Sequence, residues 1–191
     1  MEKKLSEMSL KELWKLFPIC LKEHQPYWKE WYTEEENLLK NRVPEIERIS
    51  HIGSTAISSV YAKPIIDILV EISRDHRLTD YKEAIENSGY ICMSEDSDRI
   101  SFNKGYTEKG FAERVFHLHL RYVGDNDELY FRDYLMEHTD IAVEYERMKL
   151  ELWKKFEFDR DGYTNSKTEF IQTYTQKAKL EYGDRYTATE G

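Results

Sequence analysis

The chain has 191 residues, of which 40% are hydrophobic and 14% aromatic, enough for one globular domain whose core needs neither disulfides nor a structural metal. A formal net charge of -9 argues against general binding to nucleic acids or anionic membranes, because both require a broad basic surface. No apolar run reaches membrane-spanning length, the first residues lack the apolar core of a signal peptide, and the two cysteines show no CxxC spacing. We therefore expect a soluble, cytoplasmic protein.

Two helices are predicted before the first strand. Ser9 and Glu12 have the spacing of a capping box and open a short helix that ends before Pro18. Aromatic and leucine side chains recur at helical spacing over residues 25–41, and Pro44 ends this second helix. We expect its tryptophans to face the core.

The middle of the chain carries most of the strand patterns. Thr79 is a helix-capping residue and Gly89 suits a left-handed helix end, so one helix is predicted between them. Gly105 and Gly110 predict a turn. The predicted strands cover residues 45–52, 65–72, 90–93, 99–104 and 114–123.

Everything after Asp125 has a helical pattern. A long helix begins at Thr139, and a last one follows Thr164 and ends at Gly183. The order of helices, then strands with one helix, then helices predicts an α/β or α+β core with a C-terminal helical layer.

The segment Gly53-Ser54-Thr55 follows a predicted strand and precedes a short helix. The missing side chain of Gly53 lets a phosphate approach the backbone, and the hydroxyls of Ser54 and Thr55 add polar contacts. These features predict a phosphate site, with an ordinary turn as the alternative. Lys63, which leads into the next strand, has the strongest local case for neutralising a phosphate.

Asp67 lies within the apolar strand 65–72, where a buried carboxylate would cost several kcal/mol unless it faced a cation or an open sheet end. Because side chains alternate along a strand, Asp67, Leu69 and Glu71 share one face. Leu69 stands where a two-carboxylate clamp would have its second acid. Glu71 is a candidate metal ligand, with a solvated strand end as the alternative.

His117 and His119 alternate along a strand and point to one face. Together with Asp67 from a neighbouring strand they would bind a metal, whereas the alternative is a structural pair under the helical layer. His51, just before the glycine turn, is a further candidate for the same pocket. The other basic residues considered for phosphate are Arg99, Lys104, Arg114, Arg132 and Lys167, although Arg132 and Asp133 also suit a structural ion pair.

Seven motifs occur in order along the chain: HIGST (51–55), KPIIDI (63–68), Gly89-Tyr90, FHLH (116–119), FRDYL (131–135), the helix 145–149, and Tyr163-Thr164 with Lys167. Together they resemble the GrpB family of the nucleotidyltransferase superfamily, over residues 17–180. The resemblance implies an N-terminal extension at 1–16, one domain at 17–182 with a nucleotidyltransferase-like mixed β-sheet flanked by helices, and a tail at 183–191.

The resemblance also implies roles for individual residues. Gly53 and Ser54 match the turn that holds the nucleotide's phosphates, and Asp67 matches the first metal-binding acid. Leu69 does not match the second acid, and His119 or His117 falls where the third ligand is expected. Residues 56–59 depart from the family's Ser-Val-Pro-Gly type of loop.

The expected function is metal-dependent transfer of a nucleotidyl group from a nucleoside triphosphate to a small acceptor. Asp67 and His119 would be catalytic, and the cation would be Mg2+ or Mn2+, with Zn2+ as an alternative. Two other functions stay open: a nucleotide- or metabolite-binding protein without catalysis, and a metal-dependent hydrolase that uses Asp67 with the His117/His119 pair. The acceptor, the nucleobase and the oligomeric state do not follow from the sequence.

Overall fold

A computed structural model describes residues 3–187 of the chain. Its centre is one mixed sheet of five strands in the order β1-β2-β5-β4-β3, in which only β2 and β5 run parallel. The strands are β1 (Arg48–Ile52), β2 (Ile66–Ile72), β3 (Ile91–Glu95), β4 (Arg99–Thr107) and β5 (Gly110–Tyr122). The predicted mixed sheet with flanking helices is confirmed.

Helices flank the sheet, and four of them follow the last strand as the predicted C-terminal layer. None of the helices within residues 3–187 combines the length and apolar character that a membrane-spanning segment requires. The helices are α1 (Leu10–Leu16), α2 (Tyr27–Arg42), α3 (Lys82–Glu86), α4 (Asp127–Glu137), α5 (Thr139–Phe156), α6 (Arg160–Asn165) and α7 (Thr168–Tyr182).

The two faces of β2 pack against different layers, as the alternation of its side chains predicts. Ile66, Ile68 and Val70 belong to the main core, which also contains side chains of α2. On the opposite face Leu69 packs with Ile52 and with Leu129 of α4. Asp67 shares this second face, so the start of β2 presents a carboxylate beneath the helical layer.

Local sequence signals place several element ends correctly. Ser9 and Glu12 form the predicted capping box at α1, and Gly89 adopts a φ of 93° after α3. The first strand is shorter than predicted, because pairing with β2 within this strand begins only at Arg48.

The predicted turn over Gly105 to Gly110 is wrong in extent. Both strands continue into this segment, with Tyr106 opposite Phe111 and Thr107 opposite Gly110. Gly105 instead lies at an irregularity in the β4–β5 pairing with a φ of 93°, and a side chain there would overlap the carbonyl of Arg114. Glycine therefore permits a bulge at this point rather than ending the strand.

The predicted domain boundaries at 16/17 and 182/183 stay predictions. Within the described part of the segment after α7, the half-buried Tyr186 packs against Ile52, Leu69 and Leu129. Its backbone carbonyl accepts a hydrogen bond of 2.9 Å from Asn126. Residues 183–187 thus lie against the domain.

Candidate functional site

The glycine turn and the β2 carboxylate are in direct contact. Gly53 leaves β1 with a φ of 72°, and the chain then forms a short 3-10 turn over Ser54–Ala56. A Cβ atom built on Gly53 would overlap the carboxylate of Asp67. Glycine is therefore required twice, for the backbone conformation and for this close approach.

Asp67 meets both predicted histidines. In the parallel pairing of β2 and β5, Asp67 lies opposite His117. Its Oδ1 atom is 3.2 Å from His117 Nδ1 and 3.7 Å from His119 Nε2. Burial alone would raise the pKa of Asp67, but the hydrogen bonds from both imidazoles outweigh it and lower that pKa well below its usual range. Asp67 therefore stays ionised.

His117 continues the contact from Asp67 to two further residues. Its Nε2 atom is 2.8 Å from the hydroxyl of Tyr106, which accepts a hydrogen bond of 3.1 Å from Arg160 Nη2. Because the ionised carboxylate of Asp67 can only accept, His117 Nδ1 carries a proton. In a neutral imidazole Nε2 is then the acceptor, so the Tyr106 hydroxyl donates to it. Burial lowers the pKa of His117, in agreement with this neutral form.

Lys149 of α5 approaches the glycine turn from the helical layer. Its side chain is 2% exposed, and its amino group donates to Ser54 Oγ at 3.0 Å and to the carbonyl of Tyr61. Burial, with repulsion from Lys167, lowers the pKa of Lys149 to about 7.

Lys63 and Lys167 complete a lysine cluster, which we define as Lys63, Lys149 and Lys167. The amino groups of Lys63 and Lys167 lie 5.5 Å and 4.4 Å from the ring centre of Tyr163. Burial, with repulsion from Lys167 and Arg160, lowers the pKa of Lys63 to about 7. Burial also lowers the pKa of Lys167 to about 8.

The lysine cluster and Arg160 differ from the other basic residues considered. Within residues 3–187, no carboxylate lies within 4.0 Å of their charged nitrogens. The remaining candidates for phosphate all have acidic partners, and the predicted structural ion pair of Arg132 with Asp133 is confirmed at 2.7 Å. These pairs are Arg99–Asp125, Lys104–Glu35, Arg114–Glu34 and Arg132–Asp133.

A cavity of about 860 Å³ opens between the glycine turn and the helical layer. Gly53, Ser54, Asp67 and His119 line one side of it, and residues of α4, α5 and α7 line the other. Its volume lies in the range of small-molecule sites, about 300–1,000 Å³. The structure thus brings the predicted Gly53, Ser54, Asp67 and His119 to one cavity.

Thr55 and His51 have different surroundings. The hydroxyl of Thr55 donates to the carbonyl of Ile65 at 3.1 Å and lies 2.9 Å from His51 Nε2. His51 stacks on Tyr32 of α2, and burial lowers its pKa to about 4. Both side chains thus fix the turn, and neither lines the cavity that contains Asp67.

Glu71 is four residues further along β2 and is fully buried. Its Oε1 atom accepts hydrogen bonds from Asn126 at 2.8 Å and from the amide of Gly124 at 3.2 Å, and its Oε2 atom lies 3.4 Å from Arg48 Nε. The structure therefore separates Glu71 from Asp67 and occupies its carboxylate with structural contacts.

The residues around Asp67 fit a cation that is shared with a ligand. Within residues 3–187, no three His, Cys, Asp or Glu side chains are grouped as a metal site of their own. However, Mg2+ is typically bound by one or two carboxylates together with substrate phosphates and water. The single ionised carboxylate of Asp67 lines the same cavity as Ser54, whose hydroxyl accepts a hydrogen bond from Lys149, and it suits that arrangement.

The sequence patterns assign no role to Lys149, Arg160 or Tyr106, although Lys149 is the last residue of the 145–149 motif. Lys149 had a detectable signal, because it lies four residues after Tyr145 on the buried stripe of α5, where a lysine is unusual. Arg160 and Tyr106 had none, since their roles depend on contacts between distant parts of the chain.

Comparisons with known proteins agree with this fold. The family model described as GrpB protein matches residues 18–177. UPF0157 protein YqkA of Bacillus subtilis is 35% identical over 156 residues, which cover 80% of this chain but only 45% of that protein. Glutamate-rich protein GrpB of Alkalihalophilus pseudofirmus is 33% identical over 159 residues, 80% of this chain and 91% of the relative. The chain thus spans about half of the first relative and most of the second.

Solved structures show the same relationship. The crystal structure of GrpB from Enterococcus faecalis has a TM-score of 0.74 and 31% identity, covering 85% of this chain and 99% of that one. The Cid1 poly(U) polymerase with Mg and 3'-dATP bound has a TM-score of 0.50 and 12% identity, covering 82% of this chain and 51% of the polymerase. This second likeness shows a nucleotidyltransferase-like fold and nothing further. The chain belongs to the GrpB family.

Proposed function

We propose that the protein binds a nucleoside triphosphate and transfers its nucleotidyl group to a small acceptor in the cytoplasm. The phosphates would lie on the Gly53-Ser54 turn and against the lysine cluster. The observation that carries this proposal is the cluster itself, three buried or half-buried lysine amino groups without a carboxylate partner among residues 3–187. Burying unpaired charge is costly, and a polyphosphate would offset that cost.

Asp67 would hold a divalent cation, Mg2+ or Mn2+, with His119 as a further candidate ligand. A bound cation would neutralise charge on the phosphates during transfer. The low pKa of Asp67 suits this task, because a carboxylate that stays ionised is a good ligand and a poor proton acceptor. We assign His117 to the positioning of Asp67, since both of its ring nitrogens already have partners.

Transfer would proceed by in-line displacement. An acceptor oxygen forms a bond to the α-phosphorus, the bond from that phosphorus to the bridging oxygen breaks, and pyrophosphate leaves. The proton of the acceptor hydroxyl passes to solvent, since both ring nitrogens of His119 already face partners, Asp67 at 3.7 Å and Arg121 Nη2 at 3.5 Å. Ser54 and Lys149 hold the phosphates in position, which supplies much of the rate enhancement in such reactions.

A second candidate is nucleotide binding without transfer. Leu69 favours it, because this fully buried residue packs with Ile52 and Leu129 where a second metal-binding acid would stand. Both candidates require the same phosphate contacts, and they differ only in turnover.

Titration calorimetry with ATP and Mg2+ tests the shared part of both candidates. Lys149→Met should weaken ATP binding by about tenfold or more, because a charge-assisted contact to phosphate is lost. Lys154→Met, an exposed position on the same helix, is the matched control and should bind like the wild type. Equal affinities of the two variants would contradict the proposed phosphate site.

A turnover assay separates the candidates. ATP labelled at the α-phosphorus is incubated with Mg2+ and a metabolite extract as the source of acceptors. Transfer predicts a labelled adduct and pyrophosphate, both lost in Asp67→Asn. Binding without product would support the second candidate, and release of phosphate without any adduct would indicate a hydrolase instead.

A further inference from the structure

A second cavity, of about 680 Å³, opens next to the lysine cluster and shares no lining residue with the first. The segment 18–22, the first turns of α2 and the first half of β5 form its walls. Lys63 and Arg160 line it as well. Its size is again typical of a small-molecule site.

Aromatic side chains form one part of this second cavity. Tyr27 and Trp31 of α2 lie with their ring centres 4.7 Å apart, and Phe111 of β5 contributes a third ring. Tyr27 and Phe111 are 36% and 37% exposed. Open aromatic surface in a concave site favours a ligand with an apolar or aromatic part.

The charged side chains of this cavity are mainly cationic. Lys22, Lys63 and Arg160 face one acid, Glu113. Within residues 3–187, neither Lys63 nor Arg160 has a carboxylate within 4.0 Å. The cavity is therefore complementary to an anion.

Hydrogen bonds connect the cationic part of the second cavity to the first site. Arg160 donates to Tyr106, which bonds to His117, which in turn faces Asp67 at 3.2 Å. A molecule held by Arg160 would thus lie on the other side of this chain of contacts from the proposed nucleotide.

We propose that the second cavity is a separate binding site for a small organic anion with an aromatic or apolar part. The inference goes beyond the proposed function, because it assigns a ligand to a cavity that the transfer reaction does not use. The aromatic rings would hold the apolar part, while Arg160 would pair with the anionic group.

NMR of the full chain tests binding in the second cavity through changes in backbone amide shifts. The three probes are phenyl phosphate, inorganic phosphate and phenol. Phenyl phosphate should shift the amides of Cys20, Ala112 and Glu113, and its affinity there should exceed that of either half-molecule by about tenfold. Shifts confined to Gly53 and Ser54, or equal affinity of all three probes at the second cavity, would overturn the inference.

Variants locate the contacts. Arg160→Gln should weaken phenyl phosphate binding by about tenfold, and Arg160→Lys should restore part of it. Ala112→Trp, at an exposed strand position, should fill the cavity and block the probe without altering its charges. Unchanged binding in a folded Ala112→Trp protein would overturn the inference.

Binding experiments with ATP distinguish a failure of this inference from a failure of the proposed function. Wild-type protein saturated with ATP and Mg2+ should still bind phenyl phosphate, because neither Arg160 nor the aromatic rings belong to the proposed nucleotide site. Mutual exclusion would show that phenyl phosphate occupies the nucleotide site and would overturn a separate second site. If ATP produces no shifts at Gly53 and Ser54, the proposed function fails, whereas absent shifts at Ala112 with phenyl phosphate refute the second cavity alone.

Discussion

Gly53 has no side chain, and this allows the turn to lie directly against the carboxylate of Asp67 on β2. Gly53→Ala forces a side chain onto a residue with a φ of 72° and into the Asp67 carboxylate. We expect the free energy of unfolding to fall by about 1–3 kcal/mol, measured by urea denaturation.

Gly124→Ala is the matched control for Gly53→Ala. Gly124 has a φ of 94°, but a Cβ atom there meets nothing within 4 Å. Gly124→Ala should therefore lower the free energy of unfolding only by the cost of backbone strain. If both variants lowered the free energy of unfolding by the same amount, the close approach of Gly53 to Asp67 would not contribute to stability.

The lysine cluster makes stability depend on pH. The pKa of Lys149 is about 7 in the folded protein and near its ordinary value of 10.5 when unfolded, so the unfolded chain binds more protons between these values. Stability of the ligand-free protein should therefore rise with pH above about 7, by up to about 1.4 kcal/mol per pH unit for such a lysine.

Lys149→Met should flatten this rise, measured by urea denaturation at pH 7 and pH 9. Lys154→Met should keep the wild-type difference, because Lys154 is exposed. A Lys149→Met protein with the full wild-type difference would show that Lys149 is ordinarily charged in the folded state.

Sequence reasoning identified the residues whose signal is local. Gly53 and Asp67 stand out because a glycine turn and an acid in an apolar strand are unusual by themselves. Thr55 fits the same motif, yet its hydroxyl bonds to His51 and Ile65, and no pattern in the sequence distinguishes these orientations.

At the scale of elements, β2 determines how many acids face the site. Leu69→Asp would place a carboxylate in the closed cluster with Ile52 and Leu129. We expect it to destabilise the protein more than Leu69→Ala, for which a loss of about 2–5 kcal/mol is typical. Denaturation of both variants measures the difference.

A stable Leu69→Asp protein that binds Mg2+ more tightly would contradict this expectation. It would mean that the Leu69 position is open to a second cation, as the two-carboxylate arrangement requires. A destabilised protein without added Mg2+ affinity would agree with a site built on Asp67 alone.

The strand patterns also show which features of the strands can be predicted from the sequence and which cannot. Alternation assigned the faces of β2 correctly, because successive side chains of a strand point to opposite faces of the sheet whatever their polarity. Gly105 was misleading, since the same residue type ends strands and permits bulges, and only the approach of Arg114 decides between the two.

At the scale of the whole molecule, the helical layer and residues 183–187 pack over the sheet. The hydroxyl of Tyr186 donates a hydrogen bond to Asp133 and accepts one of 3.2 Å from Arg132.

Tyr186→Phe should lower the free energy of unfolding by about 1 kcal/mol through the lost hydrogen bonds. Tyr186→Ala, which also loses the ring, should cost about 2 kcal/mol or more. Guanidinium denaturation measures both variants. If neither differed from the wild type in its free energy of unfolding, the contribution of Tyr186 to stability would be refuted.

The sequence predicted this layered architecture from the order of its elements, and the motif resemblance agreed with it. It did not predict that α5 brings Lys149 to the Ser54 hydroxyl or that α6 brings Arg160 to the second cavity. Those positions depend on how separate elements pack, which periodicity along one chain does not encode.

The most direct test of the account is a crystal structure with a non-hydrolysable ATP analogue and Mn2+, located by its anomalous signal. The account predicts phosphates in contact with Gly53, Ser54 and Lys149, and a Mn2+ ion bound to the carboxylate of Asp67. A nucleotide bound elsewhere, or phosphates at the turn with no Mn2+ at Asp67, would contradict it.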